Sequence, residues 1–132
     1  MTVDLNDALV NAALDAIYDT HFPAGSVVEL RTGAPPGAEN AASGTLLVSI
    51  TSPASPWAAA SVGFKATNGT WSGVSVAAGV IGHYRFRNAA DTRREEGTVS
   101  ATGGTGDATV NDLTVSGAGV TVNVNSFTKR LP

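Results

Sequence analysis

The chain has 132 residues, which is the size of one domain, and charged residues make up only 14% of it. A formal net charge of −3 argues against nucleic acid as a partner, because neutralising phosphates needs clustered Lys and Arg. The absence of cysteine excludes disulfides, thiolate nucleophiles and cysteine-ligated metals.

The first predicted element is a helix over about residues 5–19. Asp4 or Asn6 can cap its start, and Pro23 helps to end it. The apolar arc of this helix is wide, because two neighbouring stripes recur at helical spacing: Leu5, Leu9, Ala12, Ala13, Ala16 and Ile17, beside Val10, Leu14 and Ile17. Acidic residues interrupt the N-terminus and no apolar run approaches about 18 residues, so we predict neither a secretory signal nor a membrane partner.

After Gly25 the hydrophobic period changes from 3.6 to 2, which predicts strands. About eight are expected, at residues 27–32, 45–50, 61–67, 70–76, 79–87, 93–100, 108–115 and 120–131. Short strands at this spacing are typical of an antiparallel β-sandwich, of which the jelly roll is one form. We therefore predict a single mainly β domain over residues 1–132, with a helical element at 1–22 and a sandwich body at 26–132.

Three local features predict strand pairing. Asn68-Gly69 suits the type I′ turn of a hairpin, because both central residues of that turn need a positive φ. Arg85 and Arg87 are expected across from Glu95 and Glu96, since opposite charges favour that register. Apolar residues change phase late in the last strand, which predicts a bulge near Asn125-Ser126.

No combination of residues indicates catalysis. His21 and His83 lack metal-ligand spacing, and His83 is expected at a solvated or interface position. Asp91, Glu95 and Glu96 alternate with arginines, which predicts a self-neutralised exposed hairpin tip. We therefore expect no enzyme activity, catalytic residue, metal or cofactor.

The two tryptophans leave two interpretations open. Trp57 and Trp71 can both belong to the core, or an exposed Trp57 can anchor an interface. Trp57, Trp71 and Tyr84 could instead contribute to a carbohydrate-binding platform, although their spacing does not predict a cluster.

Five stretches resemble a small structural protein that recurs in tailed bacteriophages, and they follow the same order along nearly the whole chain. They are Asn11-Ala-Ala-Leu-Asp-Ala-Ile, Val28-Glu-Leu-Arg-Thr-Gly-Ala-Pro-Pro-Gly, Gly44-Thr-Leu-Leu, His83-Tyr-Arg-Phe-Arg and Ser126-Phe-Thr-Lys-Arg-Leu-Pro. The resemblance implies a virion component, above all a head decoration (cement) protein on the capsid surface, made in the host bacterial cytoplasm. Its partners would be the major capsid protein and, through a dimer or trimer, other copies of itself.

A cement role needs surfaces that can lie against the shell. The candidates are Leu5 and Leu9 on the helix, Pro35 and Pro36 in the loop at 33–44, and Pro53 and Trp57 in the segment at 51–57. We expect the helix to pack on a neighbouring copy or the shell as well as on its own sheet. Removal of residues 1–20 is then expected to abolish capsid binding while leaving a folded β body. The alternatives are a tail or head–tail connector component and a carbohydrate-binding receptor-recognition module.

Overall fold

A computed structural model describes residues 3–131 of the chain. One helix, α1 (Asp7–His21), precedes all of the strands. The strands are β1 (Val27–Arg31), β2 (Leu46–Thr51), β3 (Ser72–Val74), β4 (Gly79–Val80), β5 (His83–Arg87), β6 (Arg94–Ala101), β7 (Ala108–Val110), β8 (Thr114–Val115) and β9 (Thr121–Ser126). The prediction of a mainly β chain with one N-terminal helix is confirmed.

Helix α1 begins two residues later than predicted because Asn6 provides the cap. The Asn6 side chain accepts a hydrogen bond from the Leu9 amide at 3.0 Å, which satisfies a backbone donor of the first turn. At the other end the Phe22 amide donates to the Tyr18 carbonyl, and Pro23 follows.

Seven strands form one sheet in the order β2-β1-β5-β6-β7-β9-β3. An isolated bridge between Val48 and Ser75, with a 2.8 Å hydrogen bond from the Val76 amide to the Leu47 carbonyl, joins its two ends. The sheet is therefore nearly barrel-shaped, and β4 and β8 form a separate small sheet.

The pairing is mixed, because β6 and β7 run parallel while the other paired strands run antiparallel. The prediction that all strands pair antiparallel is therefore wrong. The two packed layers of a sandwich or jelly roll are not confirmed by this single, nearly closed sheet.

The predicted Asn68-Gly69 hairpin does not form. β3 pairs with β9 instead of with residues 61–67, and of the two turn residues Gly69 alone has a positive φ. The type I′ signature falls at Val62 and Gly63, with φ values of 52° and 78°, inside a two-residue turn closed by reciprocal Ser61–Phe64 hydrogen bonds.

The charge-pairing prediction is only half right. Arg85 lies opposite Glu96 in the β5–β6 hairpin, but Arg87 lies opposite Arg94, because Glu95 pairs with Phe86 on the other face of the strands. The predicted bulge is confirmed. In the β7–β9 pair, Thr109 faces Ser126 and Val110 faces Val124, which leaves Asn125 as the extra residue of a bulge. The last hairpin, predicted from residues 108–115 and 120–131, forms only in part, because β8 pairs with β4 instead of with β9.

The core is built around stacked and edge-on aromatic rings. Phe86 of β5 packs 4.4 Å from Phe22, 5.9 Å from Trp71 and 5.3 Å from Phe127, measured between ring centroids. Leu14 and Tyr18 bring the inner face of α1 into the same cluster. The helix is therefore part of the core.

Candidate functional site

The outward face of α1 is apolar. Leu14 and Tyr18 point inward, whereas Leu5 and Leu9 are 43% and 55% exposed. Ala8, Ala12 and Ala16 are also exposed. At 100° per residue, Leu9, Ala12 and Ala16 fall on the side of α1 opposite Leu14. The exposed Leu5 lies directly before the capping residue Asn6, and we group it with these three residues as one exposed apolar ridge. We call them the α1 ridge.

The other predicted interface residues are placed less favourably. Pro35 is exposed, but Pro36 and Pro53 are half-buried. Trp57 is also half-buried: its Nε1 donates to the Phe22 carbonyl at 2.9 Å, and its ring lies 5.0 Å from that of Tyr18. Trp57 therefore packs on the core, which agrees with the interpretation that both tryptophans belong to the core.

The predicted interface residues do not form one surface. Helix α1 packs on the core face of the sheet, where Phe86 lies, whereas the loop at 33–44 covers the outer face. The loop rests on His83 and Arg85, since the His83 Nδ1 lies 2.9 Å from the Gly33 carbonyl oxygen and Arg85 donates to the Asn40 carbonyl. His83 is fully buried, so its expected solvated position is wrong.

Aromatic residues provide no platform for sugars at the predicted positions. Trp71 and Tyr84 are each only 2% exposed, because both are committed to the core. A carbohydrate site needs exposed ring faces, so this geometry does not favour the receptor-recognition alternative.

Glu95 belongs to a buried polar cluster instead of an exposed hairpin tip. Its carboxylate accepts hydrogen bonds from Tyr18, from Tyr84 at 2.6 Å and from Lys129. The Lys129 ammonium also donates to the Tyr84 hydroxyl at 2.9 Å and sits 3.3 Å from the centroid of the Phe127 ring. Opposite Tyr84 on the next strand, Gly97 leaves the space that the tyrosine ring occupies.

The cluster holds its groups in defined protonation states. Burial raises the pKa of the Tyr18 and Tyr84 hydroxyls far above their ordinary value, and the Glu95 carboxylate raises them further. Burial also lowers the pKa of Lys129, although Glu95 opposes that shift. Perturbed groups beside a cleft can indicate an active site, but here they bond one another and tie α1, β5, β6 and the C-terminal segment together. We assign the cluster a structural role.

Lys65 makes a second attachment for the helix. Its ammonium lies 2.6 Å from Asp15 and 2.9 Å from Asp19, and the side chain is 1% exposed. Burial alone would lower the pKa of Lys65, but the hydrogen bonds to the two carboxylates outweigh it and raise the pKa. Ion pairs at Asp15 and Asp19 thus fix α1 in addition to the apolar packing of its inner side.

An arginine-lined cleft of about 620 Å³ opens beside the loop at 33–44. Four of the six arginines of the chain line it: Arg31, Arg85, Arg87 and Arg94. Sequence reasoning missed this cleft, because its residues come from β1, β5, β6 and the two adjoining loops. The sequence predicts a self-neutralised hairpin tip near this cleft, but only the Asp91–Arg94 pair, at 2.7 Å, lies there. Glu96 pairs with Arg85 instead, and the side chain of Glu95 lies on the core face of β6.

Among residues 3–131, no group of three or more His, Asp or Glu side chains is placed to hold a metal ion. Within the same range, no helix is long and apolar enough to cross a membrane. Comparisons with protein-family models, curated proteins and solved structures found no match to this chain.

Proposed function

We propose that this chain is a structural protein of a tailed-bacteriophage virion, a decoration protein that binds the outer face of the major capsid protein shell and stabilises the head. The observation that carries the proposal is the α1 ridge, an apolar surface on a helix whose opposite side is fixed to the core. The resemblance of five stretches to a phage structural protein supplies the biological setting.

The ridge suits many identical weak contacts. Burying a fully exposed leucine side chain contributes about 1.5–3 kcal/mol, and Leu5 and Leu9, at 43% and 55% exposed, can contribute only part of this range. Two leucines per copy therefore make a modest contact that repetition over a symmetric shell strengthens. The ridge residues are uncharged, and the neighbouring Asp19 is already paired with Lys65, so docking of the ridge on protein desolvates no unpaired charge of these residues. The same ridge can pack between copies in a dimer or trimer on the capsid surface.

The fold supplies the rigidity that this role requires. A nearly closed sheet with a helix pinned by Leu14, Tyr18 and Lys65 presents the ridge in a fixed orientation. The finer description as a two-layer sandwich or jelly roll stays a prediction, and the role does not depend on it.

Removal of residues 1–20 is not a clean test of the ridge. It would take Leu14, which is fully buried, and Tyr18 out of the core, so the structure argues against a folded β body without the helix. Substitutions on the exposed side avoid this difficulty.

The decisive experiment adds purified protein to phage heads that lack it and counts bound copies per particle by quantitative mass spectrometry. We expect hundreds of copies relative to the major capsid protein, and an affinity at least tenfold weaker for the double variant Leu5→Ser/Leu9→Ser. The matched control is Val80→Ser, which alters a valine that is 58% exposed away from the helix. A few copies per virion would instead identify a tail or connector component, and equal binding by the double variant would remove the ridge from the interface.

A further inference from the structure

The arginines of the cleft lie in a ladder on the outer face of the sheet. In the hydrogen-bonded register, Glu29, Arg85 and Glu96 form one row across β1, β5 and β6. This row alternates in sign, and Arg85 lies 3.2 Å from Glu96. It therefore carries one surplus negative charge, and Glu29 shares that charge with arginines outside the row.

The next row is not balanced. Arg87 and Arg94 face each other directly across β5 and β6, and the third member of the row is Val27. Like charges placed opposite each other destabilise a strand pair. The carboxylates that compensate them lie to either side: Glu29 accepts from Arg87 at 3.2 Å, and Asp91 accepts from Arg94 at 2.7 Å.

Arg87 retains donors that the described residues do not use. A guanidinium has five N–H donors, and Arg87 donates to Glu29 through Nε, while its two terminal nitrogens donate to no residue within 3–131. The Arg87 and Arg94 side chains are 27% and 32% exposed, so both can reach a ligand in the cleft.

Glu29 shows which ligand fits this arrangement. One of its carboxylate oxygens accepts from Arg31 at 3.0 Å and the other from Arg87, so a single planar carboxylate already joins two guanidiniums here. A carboxylate between Arg87 and Arg94 would also join two guanidiniums, but through their terminal nitrogens, because both Nε atoms already donate to Glu29 and Asp91. Because the cleft measures about 620 Å³ and Ala41 and Ala42 line part of it, it has room for a peptide segment around that carboxylate.

We propose that the arginine-lined cleft binds an acidic segment of a partner protein, with a carboxylate of that segment received by Arg87 and Arg94. Three carboxylates also line the cleft. Glu29 and Asp91 are paired with arginines, whereas Glu39, exposed on the loop, is a negative charge that opposes such a ligand. The proposal does not rest on the capsid assignment, since it concerns a different surface from the α1 ridge.

The test is titration calorimetry of the intact protein with a hexaglutamate peptide at low salt. We expect binding that weakens as salt is raised. Arg87→Gln and Arg94→Gln should each weaken it tenfold or more, because each loses charge-assisted hydrogen bonds. Glu39→Gln should strengthen it. Arg93→Gln is the matched control, since this neighbouring exposed arginine does not line the cleft.

Thermal unfolding of each variant checks that the fold is retained, and the more exposed Arg94 provides the test if Arg87→Gln is unstable. Three outcomes would overturn the proposal: no binding of hexaglutamate, an equal loss of affinity in Arg93→Gln, or displacement of the peptide by an equal concentration of inorganic phosphate. The last would identify a site for small oxyanions. Loss of peptide binding with unchanged attachment to phage heads would separate this proposal from that of the capsid role.

Discussion

At the scale of single residues, both tyrosines of the chain are committed to one carboxylate. Tyr18 and Tyr84 donate to different oxygens of Glu95, and Lys129 completes the cluster. Since their pKa values are raised in the folded state, each tyrosine keeps its proton at a pH where the unfolded chain has lost it.

This arrangement predicts alkaline destabilisation. The stabilising contribution of the tyrosines is fully present below about pH 10, the unfolded tyrosine pKa, and declines above it by about 1.4 kcal/mol per pH unit for each tyrosine. The raised pKa of Lys65 also makes the protein less stable as the pH rises, whereas the lowered pKa of Lys129 has the opposite effect on stability. Tyr18→Phe keeps the ring and removes one titrating group.

The measurement is the free energy of unfolding by urea between pH 9 and pH 11.5. Above pH 10 the slope for Tyr18→Phe should be shallower than that of the parent chain by the contribution of one tyrosine. Identical slopes would contradict the assignment of Tyr18 to this cluster.

Some residue-level features are readable from the sequence and others are not. The Arg85–Glu96 pairing and the bulge at Asn125 follow from charge and phase within neighbouring strands, and both were predictable. The alternation of Glu95 with arginines predicts an exposed tip, but a strand alternates its faces and the sequence does not show what covers each face. His83 is buried for the same reason, under a loop 50 residues away in sequence.

At the scale of elements, the turn at 61–64 adopts a conformation that its sequence does not favour. Val62 has a φ of 52°, and a β-branched residue in this left-handed region is strained. The turn is fixed in place beside α1, since the Gly63 amide donates to the Asn11 side chain at 2.9 Å. Val62 is nevertheless 68% exposed and Phe64 46% exposed, so burial of these two side chains does not offset the strain of the turn.

We therefore expect Val62→Asn to stabilise the protein by about 1 kcal/mol, because Asn-Gly is the preferred pair for this turn. The measurement is the midpoint of urea unfolding. Val80→Asn, at an exposed valine outside the turn and without a positive φ, is the control and should not stabilise. If Val62→Asn lowers stability, the strain assigned to Val62 is wrong.

The same turn explains why the hairpin prediction was misplaced. Asn68-Gly69 is the stronger local signal, but the Asn68 amide donates to the Pro56 carbonyl, which commits the segment to residues 56–58. Long-range contacts thus overrode turn propensity. The α1 ridge, by contrast, could be foreseen, because Leu5 and Leu9 belong to the wider of two stripes and one helix cannot bury both.

At the scale of the whole molecule, the sheet depends on the approach of β3 to β2. A Cβ on Gly73 would lie 2.6 Å from the Ser49 carbonyl oxygen and 3.0 Å from side-chain carbons of Val48 and Ile50. Only a glycine allows this approach without movement of the backbone.

Gly73→Ala is therefore expected to destabilise the chain by about 1–3 kcal/mol, the range for overpacking. Gly117→Ala is the matched control, because a Cβ there meets nothing within 4 Å and Gly117 has no positive φ. Equal unfolding midpoints for the two variants would show that the β2–β3 contact does not hold the sheet together.

The global arrangement lay beyond the sequence. A period of two predicts strands but not their partners, so neither the parallel β6–β7 pair nor the joining of β2 to β3 was foreseen. The arginine-lined cleft was missed for the same reason, because Arg31 and Arg94 meet only after β5 takes its place between β1 and β6.

The bridge between the two ends of the sheet affects how copies of the protein interact at high concentration. Unpaired strand edges are templates on which a second chain can add, and they promote aggregation when copies are concentrated. In the part of the chain that the structure describes, the seven-stranded sheet meets itself at Val48 and Ser75, and the separate β4–β8 pair is only two residues long. Where the β2 and β3 edges meet, copies held side by side at high local concentration would thus contact each other through side chains, and strand-by-strand growth into fibres could not start there.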